Sequence, residues 1–431
     1  MKIRAAAAAL ALSASLAAGE TLVLKGGTVH PVSGPALQNG TVVIRDGKIA
    51  ALGAAGSAVA IPVDAKVVDV SGRHVYPSLF PPMTSLGLVE ISAVRATVDT
   101  TELGEINPEA RADVAMNFDS ELLPVARSAG ILIAGVAPLG GLVSGSAAAM
   151  KLDGWTREDA TLKAPATIVV RWPDLTIDRS PTARTSVRLQ EKRRDDAVRQ
   201  LEEAFEAARA YAKAKAAEGG AGVPRHDADP KLEALVPAVE GKLPVVVGAN
   251  TVAQIRAAVA WGKRENLRIV IFGGADAWRV APELAAAKVA VILDTALDLP
   301  ARTDDPYDAR YAAAGILAKA GVEVALNDGA GSTAETARNL LQDAAVSAGF
   351  GLPREAAVAA MTLVPARILG VDDRVGSIEP GKDATLIVTD GDILDLRSHV
   401  VAAYLDGRAL DLTDKQKRLY ERYKNRPRAG S

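Results

Sequence analysis

The chain has 431 residues, 49% hydrophobic and 24% charged, which is enough apolar material for one large domain or several smaller ones. Its 50 Lys and Arg against 52 Asp and Glu give a formal net charge of −2, so neither nucleic-acid binding nor intrinsic disorder is expected. The sequence contains no cysteine, which excludes disulfides, cysteine nucleophiles, zinc fingers and iron–sulfur clusters.

Residues 1–19 have the pattern of a signal peptide. Lys2 and Arg4 supply positive charge, an apolar run covers residues 5–18, and small residues surround Ala17 and Gly19. This run is too short to span the ~30 Å hydrocarbon layer of a membrane, and no later segment has the length of a membrane span. We therefore expect a periplasmic or secreted protein, cleaved near Ala17 or Gly19, with no membrane span.

Both ends of the mature chain are rich in short β-type runs. Those near the start cover residues 21–24, 41–44, 48–52 and 66–70, and those near the end cover residues 384–388 and 400–405. Hairpin signals occur at Asn39-Gly40 and Asp46-Gly47, because both central residues of a type I′ turn need positive φ. We predict one composite β-sandwich domain from residues 20–77 and 382–412, followed by a basic tail at residues 413–431.

The middle of the chain alternates apolar runs with Ala-rich helical segments. The eight runs cover residues 75–80, 131–136, 147–152, 168–171, 245–249, 269–272, 289–293 and 322–326. Runs that are apolar throughout indicate strands covered on both faces, as in a parallel sheet. The fold class is therefore predicted to be α/β, with a (β/α)₈ TIM-like barrel over residues 78–381. A doubly wound open sheet is the structural alternative.

An insertion at residues 181–219 has a different pattern. Val198, Leu201, Phe205 and Ala208 recur at helical spacing, with charged residues on the other face, which predicts a long amphipathic helix. It either packs on the outside of the barrel or forms an arm that contacts a partner.

Two groups of motifs resemble a known family. The opening contains NGTVVIRDGKI at residues 39–49 and VYPSLF at residues 75–80, and the closing part contains PARILG at 365–370 and VGSIEPGKDA at 375–384. Together they resemble the amidohydrolase superfamily, near its imidazolonepropionase-like branch. The resemblance implies a barrel with a composite β-sandwich, and hydrolysis of C–N bonds in amides and cyclic amides with one or two divalent metals.

The metal-ligand positions implied by this resemblance do not hold histidine. The His-x-His pair of the first barrel strand is replaced by Met83 and Ser85, and the histidines of the fifth and sixth strands by Gly248 and Gly273. A thioether, a hydroxyl and two glycines cannot replace four imidazoles around zinc or a related metal. We therefore expect no metal and no other cofactor.

The histidines that do occur are His30, His74, His226 and His399. None is spaced as a ligand pair, so each is interpreted as a surface histidine or a hydrogen-bonded core histidine.

The resemblance also implies a catalytic aspartate after the eighth strand, and Asp328 lies at or one residue from that place. Asp328 is either a general base with a raised pKa or a turn residue in Asn327-Asp328-Gly329. Glu90, Asp276 and Arg171 follow other predicted strands and could line a pocket.

Three functional hypotheses follow. The first is a metal-free or catalytically degenerate amidohydrolase-like protein that binds a small amide-like or peptide-like ligand, or supports an active amidohydrolase in a hetero-oligomer. The second is an active hydrolase that uses Asp328 with no metal or a weakly held one. The third is a structural subunit, as a homo-oligomer or in a hydrolase complex, with residues 181–219 as its interface.

Overall fold

The computed structural model describes residues 21–218, 220, 225, 227–424 and 426. Its strands are β1 Leu22–Val29, β2 Leu37–Arg45, β3 Lys48–Gly53, β4 Lys66–Asp69, β5 His74–Pro77, β6 Ile133–Val136, β7 Val143–Lys151, β8 Thr161–Arg171, β9 Val245–Ala249, β10 Ile269–Gly273, β11 Ala290–Leu293, β12 Val324–Leu326, β13 Leu386–Thr389, β14 Val400–Leu405 and β15 Arg408–Ala409. Its helices are α1 Ala112–Ala115, α2 Leu122–Ser128, α3 Arg157–Ala160, α4 Val187–Ala217, α5 Pro230–Val239, α6 Val252–Arg264, α7 Ala281–Ala287, α8 Ala309–Lys319, α9 Leu340–Gly349, α10 Arg354–Ala360, α11 Leu363–Leu369 and α12 Lys415–Lys424.

Strands from both chain ends form one eight-stranded sheet. Its order is β15-β14-β13-β5-β1-β2-β3, and β4 also pairs with β1. Asp46 and Gly47 have positive φ between β2 and β3, which confirms that hairpin turn. Asn39-Gly40 instead lies inside β2, where the register with β1 shifts, so the signal marks a bulge. The composite sheet is thus observed, while its closure into a sandwich and the domain limits stay predictions.

The second sheet has the order β12-β11-β10-β9-β8-β7-β6 and forms most of a TIM-like barrel wall. Strands β8 to β12 pair in parallel, as predicted. Strand β7 runs antiparallel to both β6 and β8, so the prediction of eight parallel strands is wrong at this position. The connections on either side of β7 are too short for the dozen or more residues that a parallel crossover needs.

The extended segment 78–85 completes the wall between β6 and β12. The predicted first strand at residues 75–80 is therefore divided between β5 of the composite sheet and this segment. On the β6 side, Leu79 and Thr84 form parallel bridges with Ile131 and Val136. A Cβ on Gly135 would lie 1.8 Å from the Pro82 carbonyl oxygen, so only glycine permits this close approach.

On the β12 side, the side chain of Asn327 replaces part of the backbone ladder. The Met83 amide donates to Asn327 Oδ1 at 2.8 Å, and Asn327 Nδ2 donates to the Met83 carbonyl at 2.9 Å. The Ser85 amide donates to the Gly329 carbonyl at 2.9 Å. The first and last strand positions of the barrel are thus joined by buried polar contacts.

Three apolar clusters stabilise these layers. One fills the barrel interior with apolar side chains from the strands and from α11, including Met83, Val246, Val270, Ile292, Ala325 and Ile368. A second lies between the wall and the surrounding helices, and a third covers one face of the composite sheet. A packed interior means that ligands can enter only at the strand ends.

The insertion forms α4, as predicted. Leu201, Phe205 and Ala208 are fully buried, and the Phe205 ring meets the Trp261 ring of α6 edge-on at 5.0 Å. The second half of α4 therefore packs on the outside of the barrel, against α6.

Two predictions concern the chain ends. The predicted signal peptide lies in residues 1–20, and its cleavage sites are outside the described residues. In the predicted basic tail, α12 has no buried residue. Among the described helices, none combines the length and apolar character required to cross a bilayer.

Candidate functional site at the barrel mouth

A cavity of about 1020 Å³ opens where β8 to β11 end, and we call it the mouth cavity. Strand ends and the loops after them supply Arg171, Trp172, Gly248, Phe272 and Asp294, and the first half of α4 supplies Gln190, Arg193, Arg194 and Ala197. The cavity therefore has one wall from the barrel and another from the insertion.

Strand alternation shows which residues face the barrel interior. Val246, Val270, Ile292 and Ala325 belong to the interior cluster. The residue two positions later in the chain lies on the same face of a strand. These residues are Gly248, Phe272, Asp294 and Asn327. Arg171 pairs with Gly248 across β8 and β9 and completes this layer. We call these five residues the mouth layer.

Asp294 is the acidic member of the mouth layer. Its Oδ1 accepts a hydrogen bond from Asn327 Nδ2 at 3.2 Å. Burial raises the pKa of Asp294, the negative charge of Asp328 adds to the rise, and the hydrogen bonds from Asn327 and Thr295 oppose it. Asp294 is therefore a carboxyl group that can exchange a proton nearer to neutral pH than an ordinary aspartate.

Asp328 lies one residue beyond the mouth layer and is not among the residues that line the mouth cavity. Its Oδ1 accepts hydrogen bonds from the Gly329 amide at 2.7 Å and from Thr336 Oγ1 at 2.5 Å. Burial raises the pKa of Asp328. Both contacts come from the chain that follows β12, and the choice between a general base and a turn residue stays open.

The carboxyl group of Asp343, on α9, interacts electrostatically with that of Asp328. Its Oδ1 accepts from Thr295 Oγ1 at 3.0 Å and from the Ala296 amide at 2.6 Å, and these bonds hold the chain just after Asp294. Burial and the charge of Asp328 raise the pKa of Asp343 to about 7. Ionising both carboxyl groups is therefore unfavourable, and the pair holds a proton under mildly acidic conditions.

The remaining predicted positions are distributed over the wall. Met83 is buried in the barrel interior, and the buried Ser85 hydroxyl has no hydrogen-bond partner among the described residues. Gly248 faces inward, and a Cβ there would have no neighbour closer than 3.7 Å. Gly273 has a φ of +87°. In the pairing of β9 with β10, the residue opposite Gly248 is Phe272. The assignment of these positions to replaced metal ligands stays a prediction.

The described histidines lie away from the mouth layer. His30 Nε2 and His74 Nδ1 are 2.9 Å apart, and both rings stack with Tyr76 beside the composite sheet. His399 is exposed and contacts Asp390 at 3.3 Å. His226 lies outside the described residues.

The donor set of the mouth layer does not fit a transition metal. It offers a guanidinium, a phenyl ring, a carboxyl, a carboxamide and a glycine, where zinc prefers imidazole and thiolate. Among the described residues, no three His, Asp or Glu side chains are grouped so that they could hold a metal ion. No chemical step is therefore derived through a metal.

Of three other polar residues considered from the sequence, Glu90 and Asp276 have structural partners and Arg171 lines the cavity. Glu90 accepts from Ser120 Oγ at 2.5 Å. Asp276 is buried and forms a two-bond pair with Arg302, with distances of 2.9 and 2.6 Å. Arg171 does line the mouth cavity. Sequence reasoning missed Asp294, although it directly follows the apolar run at residues 289–293.

Comparison with known proteins finds a family similarity in the last third of the chain. The sequence profile described as the amidohydrolase family matches residues 270–413, which contain β10 to β15 and the end of the barrel. The strands of the composite sheet and of the barrel also follow one another along the chain in the order that the sequence motifs predicted. Over residues 270–413 the chain is similar to the amidohydrolase family.

Two individual proteins are similar to most of this chain. The amidohydrolase tasK of Hapsidospora irregularis is 24% identical over 399 residues, which cover 86% of this chain. The match spans only 40% of the length of that relative. A solved amidohydrolase structure from Thermotoga maritima MSB8 aligns with a TM-score of 0.78 at 23% identity, over 90% of this chain and 99% of the other.

A more distant solved structure, phenylurea hydrolase B, aligns with a TM-score of 0.57 at 16% identity, over 91% of this chain and 97% of the other. At these identities the solved structures support the fold. The imidazolonepropionase-like branch stays a prediction.

Proposed function

We propose that this chain is an exported amidohydrolase-superfamily protein that binds a small amide-like or peptide-like ligand in the mouth cavity without a metal. The observation that carries the proposal is the mouth layer, which places polar groups where the superfamily's chemistry would occur but contains no imidazole. We also propose that the composite sheet closes into a β-sandwich and that the chain can act as the binding partner of an active amidohydrolase.

The chemistry of the cavity supports an amide ligand. Asp294 lines the cavity and supplies a hydrogen-bonding carboxyl group, and the buried Asn327 holds this group in place by donating to Oδ1 at 3.2 Å. Phe272, Leu139 and Leu299 supply apolar contact surface on the same cavity. The lining thus combines charged and polar side chains with apolar ones, and sites for small organic ligands likewise use both kinds of group.

A metal-free hydrolase is the second candidate, and the raised pKa of Asp294 favours it. In its ionised form Asp294 would accept a proton from a water that attacks the ligand carbonyl, and would then return the proton to the leaving nitrogen. The sequence placed this role on Asp328. Asp294 suits it better because Asp294 lines the cavity and Asp328 does not.

Filling the cavity tests the binding role. Gly248→Leu places a larger side chain where the structure leaves space, so the fold should persist while binding of N-acyl amino acid amides falls at least tenfold. Gly34→Leu, at an exposed glycine with no neighbour within 4 Å, is the matched control. Equal binding by both variants, measured by calorimetry, would contradict the proposal.

Three further measurements test the metal, the hydrolase alternative and export. Elemental analysis of protein purified without added metal should find no stoichiometric transition metal, and one per chain would overturn the metal-free reading. Release of amine from the same amides, abolished by Asp294→Asn and retained in Asp328→Asn, would favour the hydrolase. N-terminal sequencing of protein from the periplasm tests export, and an intact Met1 would refute it.

A further inference from the structure

The first half of α4 belongs to the ligand site, although its second half is anchored elsewhere. Arg193, on the first half, lines the mouth cavity. Phe205, on the second half, packs on Trp261, which lies 5.5 Å from Trp172 between ring centres. Trp172 follows Arg171 directly, so one aromatic cluster fixes α4 relative to the strand end that carries Arg171.

Positively charged residues outnumber negatively charged ones in the cavity lining, and only some of them form ion pairs. The lining contains four arginines and three aspartates. Arg310 pairs with Asp298 at 3.0 Å and Arg194 with Asp195 at 2.8 Å. Within the described part of the chain, the side chains of Arg171 and Arg193 have neither an ion pair nor a hydrogen bond, and both are exposed.

We propose that Arg171 and Arg193 bind a carboxylate of the ligand, so that the mouth cavity selects N-acyl amino acids or the carboxyl ends of short peptides. This inference rests on the proposed function of the cavity. A guanidinium donates two parallel N–H bonds to a carboxylate, and these two arginines are free to do so.

The rest of the cavity agrees with that ligand class. Asp294 faces the amide part, and Phe272 and Leu299 supply surface for the acyl group. The aspartates in the lining, such as Asp174 and Asp294, repel a phosphate dianion more strongly than a carboxylate of single charge. The site therefore favours a monocarboxylate.

The test compares acids with their primary amides on the full chain. Calorimetry with N-benzoylglycine and N-acetylleucine should show binding at least about tenfold tighter than with the corresponding primary amides, the scale of one charge-assisted hydrogen-bond pair. Arg171→Gln and Arg193→Gln should each remove most of that preference, measured as the ratio of acid affinity to amide affinity of the same variant. Arg188→Gln, on α4 but outside the cavity lining, should behave as the unmodified chain.

Each outcome is decisive. Equal binding of acids and amides, or an acid preference that survives both arginine changes, would overturn the carboxylate site and leave the amide-binding function standing. Failure of both acids and amides to bind would overturn both proposals. Competition by inorganic phosphate at the same concentration as the acids would refute carboxylate selection. If a variant does not fold, the acid-to-amide comparison on the unmodified chain still decides.

Discussion

Replacing Asp343 by asparagine should make the protein more stable above pH 7 and leave its stability nearly unchanged below pH 4. Burial and the Asp328 charge raise the pKa of Asp343 from 3.8 to about 7. Between these values the folded chain holds a proton that the unfolded chain has lost, so stability falls as pH rises, by up to about 1.4 kcal/mol per pH unit. Over the whole interval the loss is at most about 4 kcal/mol.

Asparagine cannot ionise, and its Oδ1 can still accept from Thr295 and from the Ala296 amide. The difference in unfolding free energy between Asp343→Asn and the unmodified chain should therefore grow from pH 4 to pH 7 and then level off. Urea denaturation at several pH values measures it. Asp64→Asn, at an exposed position, is the control and should give a flat difference. A flat difference for Asp343→Asn as well would show that the carboxyl pair holds no proton.

Two shorter predictions concern the insertion and the histidine pair. Phe205→Ala should lower the unfolding free energy by about 3–5 kcal/mol in chemical denaturation, because it removes a fully buried ring from the anchor of α4, and Glu206→Ala, an exposed neighbour, should cost less than ~0.5 kcal/mol. Burial and the neighbouring His74 lower the pKa of His30 to about 4, although the nearby Asp392 opposes this change. The folded chain therefore binds fewer protons than the unfolded one between pH 4 and 6.5, and stability from His30 rises with pH there. His30→Gln should flatten that rise in urea denaturation, and an unchanged slope would contradict the assignment.

Much of the architecture could be predicted from local sequence patterns. Asp46-Gly47 identified a hairpin because its backbone requirement is local, and the stripe of Leu201, Phe205 and Ala208 identified the buried face of α4. The direction of β7 was missed because a strand buried on both faces has the same apolar pattern in either direction. The short connection between Val136 and Val143 was the available signal.

The candidate site was harder to predict, because the inward face of a fully apolar strand cannot be read from its sequence. Alternation relates Ala325 to Asn327 and Ile292 to Asp294, but only the structure shows that these residues face the interior. The family resemblance favoured Asp328, which is next to the inward-facing Asn327 in sequence. Arg193 could not be linked to the site at all, because it is separated from Arg171 by a long insertion whose packing is tertiary.

The closure of the barrel at Asn327 leads to a last prediction about stability. Asn327 is fully buried, and its side chain satisfies both the amide and the carbonyl of Met83. Asn327→Ala leaves these two buried backbone groups without partners, at a cost of about 1–3 kcal/mol each, so we expect a loss of about 2–5 kcal/mol in unfolding free energy.

A second substitution separates lost hydrogen bonds from lost volume. Asn327→Asp keeps the shape and the acceptor for the Met83 amide but directs a carboxylate at the Met83 carbonyl and at Asp294. Its destabilisation, measured by urea denaturation, should be greater at pH 8 than at pH 4, where protonation restores a donor. Asn339→Ala, at a side chain with no hydrogen bond among the described residues, is the control and should cost under ~1 kcal/mol. If Asn327→Ala lowers the unfolding free energy no more than this control does, the Asn327 side chain does not join the two ends of the barrel wall. The segment 78–85 would then be held only by its apolar contacts and its bridges to β6.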